Sequence, residues 1–407
     1  MSAAEGKMSV AEGKMSVAEG NLPIVEATDR FTTQNYARYP VAFTHGKGCR
    51  LWDESGREYL DLFAGLAVSS LGHAHPAVVA AIREQAGKLI HASNLYYHEP
   101  GARLAQRLVE ATFADRVFFC NSGAEANEAA IKMARRAAGG RYKIVAAHGS
   151  FHGRTYGALA ATGQPSLQEG FGPMLEGFVH VEPGSSEAVA AVVGSDTAAV
   201  LVEPIIGEGG IVIPPAGYLQ ELRDICDRSG ARLILDEVQT GNGRTGTLFA
   251  YEHEGIVPDI VTTAKGLGAG LPIGAVLARE DVASAFVPGS HGTTFGANPV
   301  CCAAALAVLG ELTAGGVIDN AAEVGAYFLA RLKDAIGGRD DVADIRGKGL
   351  MIGVEFRRET KPIVRDLLAR GVIANATAGT VLRIIPPLIL TRDEVDEGIA
   401  ALVEVLG

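Results

Sequence analysis

Residues 260–274 read IVTTAKGLGAGLPIG. A short β-branched run, the pattern of a buried strand, ends at Ala264-Lys265. Gly266, Gly268 and Gly270 surround the turn that follows, and Leu271-Pro272 closes it. A lysine on the lip of a strand among glycines sits where backbone can pass close to another group. With water kept out, its pKa falls, and the free amine becomes a nucleophile able to bond to an aldehyde. Taken alone, the stretch favours a strand-end lysine whose head reaches solvent. The rest of the chain reverses that balance.

Outward from this strand, short apolar runs alternate with helical spacing. Strands are expected at 117–120, 143–147, 198–203, 232–237, 260–264 and 274–278, and helices at 124–138, 186–193 and 218–229. The alternation predicts an α/β fold whose mostly parallel sheet is covered on both faces. Ligands of such sheets lie beyond the carboxyl ends of the strands. Further helices are expected at 24–36, 76–89, 101–111, 300–312, 320–336 and 392–406, a hairpin at 50–61, and strands near 349–356 and 380–385. Residues 1–21 repeat MSAAEGK, MSVAEGK, MSVAEGN and read as a flexible leader. Residues 76–298 are assigned to a large domain. Residues 22–75 and 299–407 are assigned to a smaller α+β domain built from both ends of the chain.

The 407 residues are 48% hydrophobic and 20% charged, enough for a large core. A net charge of −11 disfavours nucleic acid or an anionic membrane surface as partner. Any phosphate must therefore be held by local geometry. The five cysteines form no C-x-x-C pair and no metal-ligand spacing, so buried reduced thiols, a cytoplasmic location and no bound metal are expected. No apolar run approaches the ~20 residues of a membrane span, and no secretory signal is read.

Four more stretches carry chemistry. Asn121-Ser122-Gly123-Ala124-Glu125 follows a strand and opens a helix, which is an anion site or a simple serine cap. Asp236-Glu237 ends a strand; a buried Asp236 needs either a protonated ring nitrogen or a cation such as Arg244. The nearby glycines 241, 243 and 246 open no long helix and are rejected as a dinucleotide fingerprint. Phe151-His152-Gly153-Arg154 offers an aromatic face and a guanidinium, or a plain surface turn. Arg383 inside an apolar strand needs an acid or an anionic ligand, with Glu203 and Glu208 as candidates. A phosphate at Ser122–Ala124, a ring nitrogen at Asp236, an aldehyde at Lys265, a ring face at Phe151 and carboxylates at Arg154 and Arg383 are together the parts of pyridoxal 5'-phosphate and its substrates.

The chain also resembles the class III, fold-type I aminotransferases, over essentially everything past the leader. The matching text includes VFFCNSGAEANEAAIKMAR, SFHGRTYGALAATGQP, VEPIIGEGGIVIPPAGYL, LILDEVQTGNGRTG, AKGLGAGLPIGAVLA and HGTTFGANPVCCAAALAVL. The resemblance implies a pyridoxal-phosphate transaminase with a seven-stranded sheet, acting as a homodimer with sites at the interface. It implies Lys265 and Asp236 as catalytic. It places Ser122, Gly123, Ala124, Phe151, His152, Glu237, Val238, Gln239 and Thr294 around the cofactor, Thr294 from across the dimer. Arg154, Thr293, Arg383 and Glu208 fall on the substrate, the last two as a gating pair, and Asn94 and Tyr97 at the entrance. The implied reaction moves the terminal amino group of N-acetylornithine to 2-oxoglutarate in arginine biosynthesis. Ornithine, succinylornithine, 4-aminobutyrate and carrier-linked lysine stay open as donors, with an aminomutase or decarboxylase as further alternatives. Ile206 and Ala297 depart from the family text and are expected to shape the substrate channel.

Overall fold

The computed structural model describes Val10–Ala11, Lys14–Met15 and residues 18–407. Its centre is a seven-stranded sheet. The strands, in chain order, are β1 (Arg116–Cys120), β2 (Lys143–Ala147), β3 (Phe178–Val181), β4 (Thr197–Val202), β5 (Arg232–Asp236), β6 (Ile260–Thr263) and β7 (Gly274–Ala278). Their spatial order is β1-β7-β6-β5-β4-β2-β3. Only β7 runs against its neighbours. The inner strands β4, β6 and β7 are buried at every residue, as both faces are covered. Six of these strands lie where the sequence places them. The edge strand β3 was missed because FVHV is short, half-exposed and interrupted by a histidine.

Helices Gly123–Ala137 and Tyr218–Ser229 pack on the sheet through apolar faces, including Ala126, Ala130 and Met133 on the first. Pro299–Ala314 follows on. It is apolar all round because it is buried, with Cys302, Ala304, Ala305 and Val308 fully enclosed. No single helix among the described residues is long and apolar enough to cross a membrane.

Two four-stranded sheets accompany the central one among the described residues. One orders Val342–Lys348, Met351–Phe356, Val381–Ile384 and Asn375–Thr377, all antiparallel. In the other, the predicted hairpin Arg50–Asp53 and Glu58–Asp61 gains Phe43–Lys47 on one side. On the other side Val372–Ile373 pairs in parallel with Glu58–Asp61, so both ends of the chain share a sheet.

The leader boundary needs correction. Asn21 is buried, its amide donating to Asp53 Oδ2 at 3.0 Å and its oxygen accepting from Ala42 N at 3.2 Å. Two buried hydrogen bonds hold it to the fold, so the docked chain begins before residue 22. Val10–Ala11 pairs with Lys14–Met15. Residues 1–9, 12–13 and 16–17 of the expected leader lie outside the described residues.

Candidate active site

The carboxyl ends of β2, β4, β5 and β6 open on one cavity of about 430 Å³. Ser122, Gly123, Ala124, Phe151, His152, Arg154, Glu208, Asp236, Val238, Gln239 and Lys265 all line it, from segments far apart in sequence.

Lys265 lies two residues past the end of β6, with φ at 38°. Enclosure holds its ammonium below the ordinary lysine range. Glu208 opposes the shift and Arg383 adds to it. Asp236 is 3% exposed. Its Oδ2 accepts from Asn127 Nδ2 at 2.7 Å and lies 2.7 Å from His152 Nδ1. Among the described residues its Oδ1 meets only Val238 N, at 3.1 Å, and keeps acceptor capacity toward the cavity. The alternative partner Arg244 is instead spent on the carbonyls of Leu350 and Pro386. Asn127 also donates to His152 O and accepts from Thr262 Oγ1. Sequence reasoning passed over it, although a polar residue on the apolar face of a helix was the available signal.

Ser122 caps its helix by accepting from Glu125 N at 3.2 Å. Gly123 and Ala124, in the first turn, have amides with no intrahelical acceptor. A Cβ on Gly123 would stand 2.8 Å from Val238 Cγ1, and one on Gly153 2.6 Å from Ala124 Cβ. These glycines hold open the cradle beside the free amides. Phe151 forms a wall, with the Arg154 guanidinium 5.6 Å from its ring centroid at the exposed rim. Arg383 is 1% exposed. Its Nη1 donates to Glu208 Oε1 at 2.5 Å and its Nη2 to Asn375 Oδ1 at 2.8 Å. Burial pushes the Glu208 carboxyl up, but Arg383 outweighs this and holds it low. Glu203, the other candidate, serves Phe151 N and Gly207 N instead.

The cradle, the acceptor at Asp236, the aromatic wall and the amine fit a phosphorylated pyridine aldehyde.

Several expected site residues stand apart. Glu237 faces away from the cavity because neighbours on a strand point to opposite faces. It accepts from Thr240 Oγ1 and Tyr251 N, and burial pushes its carboxyl up to about 7. Thr293 and Thr294 line a separate surface hollow of about 820 Å³ together with Asn94 and Ala297. There Asn94 donates to the carbonyls of Thr293 and Gly296, and Asn121 Nδ2 to Thr293 Oγ1. Tyr97 is fully exposed. Ile206 does not reach the cavity. Its loop doubles back through a bridge to Val212, and the side chain packs near Val202, Val212 and Tyr218. Ala297, at φ 56°, lines the outer hollow and not the cavity.

The model of the aminotransferase class-III family matches residues 31–406. The chain is a class-III aminotransferase. This aminotransferase is 51% identical over 383 residues to an acetylornithine aminotransferase of Methanothermobacter thermautotrophicus, covering 94% of this chain and 97% of the relative. It is 51% identical over 379 residues to one of Mycobacterium tuberculosis, covering 91% and 93%. Among solved structures, the ornithine aminotransferase of Toxoplasma gondii superposes with a TM-score of 0.92 at 35% identity, over 95% of this chain and 94% of that one. Another structure of that enzyme holds PLP at partial occupancy in its active site. The acetylornithine aminotransferase of Elizabethkingia anophelis superposes with a TM-score of 0.87 at 31% identity, over 95% and 99%. As a member of this class, the chain is a pyridoxal-phosphate-dependent transaminase of α/β fold.

Proposed function

We propose that the enzyme moves the terminal amino group of N-acetylornithine to 2-oxoglutarate, yielding the semialdehyde and glutamate, within arginine biosynthesis. The observation that carries this reading is the meeting, in one cavity, of an enclosed amine at Lys265, a carboxylate at Asp236 and a guanidinium at Arg154, with Arg383 latched by Glu208. The names of relatives about half identical to it support the donor. When bound, pyridoxal phosphate supplies an aldehyde for the amino group and an electron-accepting ring.

Each side chain then has a task. Lys265, whose enclosure favours the free amine, would hold the cofactor through its aldehyde and would move a proton at the substrate carbon, an effect of typically ~10²–10⁴-fold. Asp236, oriented by Asn127 and His152, keeps a ring nitrogen protonated. Arg154 forks a substrate carboxylate. Arg383, released by Glu208, takes the second carboxylate of 2-oxoglutarate. Glu208 closes the pair again when the donor lacks that group. Thr294 reaches the site of a second copy in a homodimer. Five free buried thiols support a cytoplasmic location.

A second reading takes ornithine as donor, favoured by the likeness to the Toxoplasma gondii enzyme. A kinetic panel of ω-amino donors against 2-oxoglutarate decides: N-acetylornithine should give the highest kcat/KM, and faster turnover of ornithine or 4-aminobutyrate rejects the first reading. Lys265→Ala should abolish turnover and the absorbance of covalently held cofactor. Normal activity in that variant would refute the assignment of the amine.

A further inference from the structure

The loop that follows β4 carries Glu208 and turns back on itself. Ile206 and Val212 exchange both backbone hydrogen bonds, at 3.1 and 3.0 Å, and Glu203 accepts from Gly207 N at 3.0 Å. Past Glu208 the backbone enters the left-handed region, at Gly210 (φ 110°) and Ile211 (φ 56°). A β-branched residue there is an outlier that persists only where its surroundings hold it. Ile211 is fully buried against Ile205, Met351 and Ile385.

Arg346, on the strand Val342–Lys348, is the polar part of that hold. Its Nη2 donates to Gly210 O at 2.6 Å and its Nε to Ile211 O at 2.8 Å. Its Nη1 is fixed by Asp344 at 2.9 Å and Glu355 at 2.6 Å. Thr377 Oγ1 donates to the backbone carbonyl of Glu208 itself, at 2.5 Å. Both residues belong to the four-stranded sheet that carries Arg383. The carboxylate that latches Arg383 thus sits on a loop from the central sheet, and the sheet of Arg383 clasps that loop from behind.

We infer that Arg346 is a positioning residue that sets how firmly Glu208 holds Arg383, and so how the cavity divides between donors with one carboxylate and dicarboxylate substrates. This rests on the proposed reading of Glu208 and Arg383 as a pair that opens for a second carboxylate. A donor without that group needs the pair closed, because a bare buried guanidinium is costly. A dicarboxylate needs it open. The clasp biases the loop toward the closed pair, and loosening it penalises the first class of substrate alone.

The test follows the two half-reactions of the holoenzyme separately, by cofactor absorbance, with N-acetylornithine and glutamate as probes. Arg346→Lys keeps the charge but cannot fork to two carbonyls. Thr377→Val removes the second hold independently. In each variant kcat/KM for N-acetylornithine should fall about tenfold, the weight of a charge-assisted or buried hydrogen bond, with less than about threefold change for glutamate. Combined with Glu208→Gln, Arg346→Lys should add no further loss, since it acts through that carboxylate. Equal losses in both half-reactions, or additive losses in the double variant, overturn the inference, because a merely structural role lowers both alike. Glu208→Gln alone tests the underlying reading. If it leaves the two half-reactions in wild-type proportion, that reading fails. If it shifts them while Arg346→Lys and Thr377→Val do not, only the role of Arg346 fails.

Discussion

Asp236 and Glu237 are adjacent acids at the end of β5, and the strand sends them to opposite sides. Asp236 meets Asn127 and His152 and faces the cavity. Glu237 is sealed in the core, where burial raises its carboxyl from an ordinary value of 4.5 to about 7. Between those values the folded protein binds a proton that the unfolded chain has lost, so stability falls as pH rises through this window. Glu203 carries the same sign, also raised to about 7 by burial. Glu237→Gln removes one of the two penalties. It should leave the unfolding free energy unchanged near pH 4 and raise it at pH 8 by roughly 3 kcal/mol, measured by denaturant titration at both pH values. An equal effect at both would show that the carboxyl does not titrate in the fold.

The helix Gly123–Ala137 brings its N-terminus to the cavity, and two of its features answer different questions. Ser122 and Glu125 have the spacing of a capping box. Only half of it forms, because the Glu125 carboxylate reaches past Ser122 to Asn121 N at 2.8 Å. The cap settles where the helix starts. The glycine at its first position settles what can approach it. Gly123→Ala puts a Cβ 2.8 Å from Val238 Cγ1, at the floor of the cradle. Cofactor affinity should fall by about tenfold or more while the melting temperature of the cofactor-free protein changes little, because alanine is the better helix former. Fluorescence titration with pyridoxal phosphate reads the first and calorimetry the second. Unchanged affinity would remove this turn from the phosphate site.

At the scale of the whole molecule, Thr294 lies on an outer hollow whose surroundings expose Leu95, Tyr96, Tyr97 and Phe295. Exposed apolar groups gathered in this way mark an interaction surface. The proposed homodimer, with Thr294 serving the opposite site, makes a quantitative prediction. Lys265→Ala and Thr294→Val chains, each nearly inactive alone, should regain activity when unfolded together and refolded as a mixture. One site of each hybrid would be intact, so recovery should approach about a quarter of wild type for random pairing of a two-fold dimer. No recovery would place Thr294 with the site of its own chain.

Periodicity and punctuation in the chain determined most of the helices, though not Tyr156–Ala161 or Lys361–Ala369, together with six of the seven central strands and the hairpin at 50–61, since these follow from local alternation of apolar residues. They also marked Lys265, Asp236 and Arg383, as charged groups at the end of or within an apolar strand, and Arg154, as the guanidinium beside the aromatic face of Phe151. The partners themselves were decided by tertiary structure. Arg383 chose Glu208 over Glu203, Asp236 chose Asn127 and His152 over Arg244, and Glu237 turned inward. Likewise Asn21 is fastened by Asp53, 32 residues away. Such choices depend on which segments the sheet order brings side by side. Contacts across 100 residues or more, such as Arg383 to Glu208 or Asn127 to Asp236, leave no trace in a local pattern.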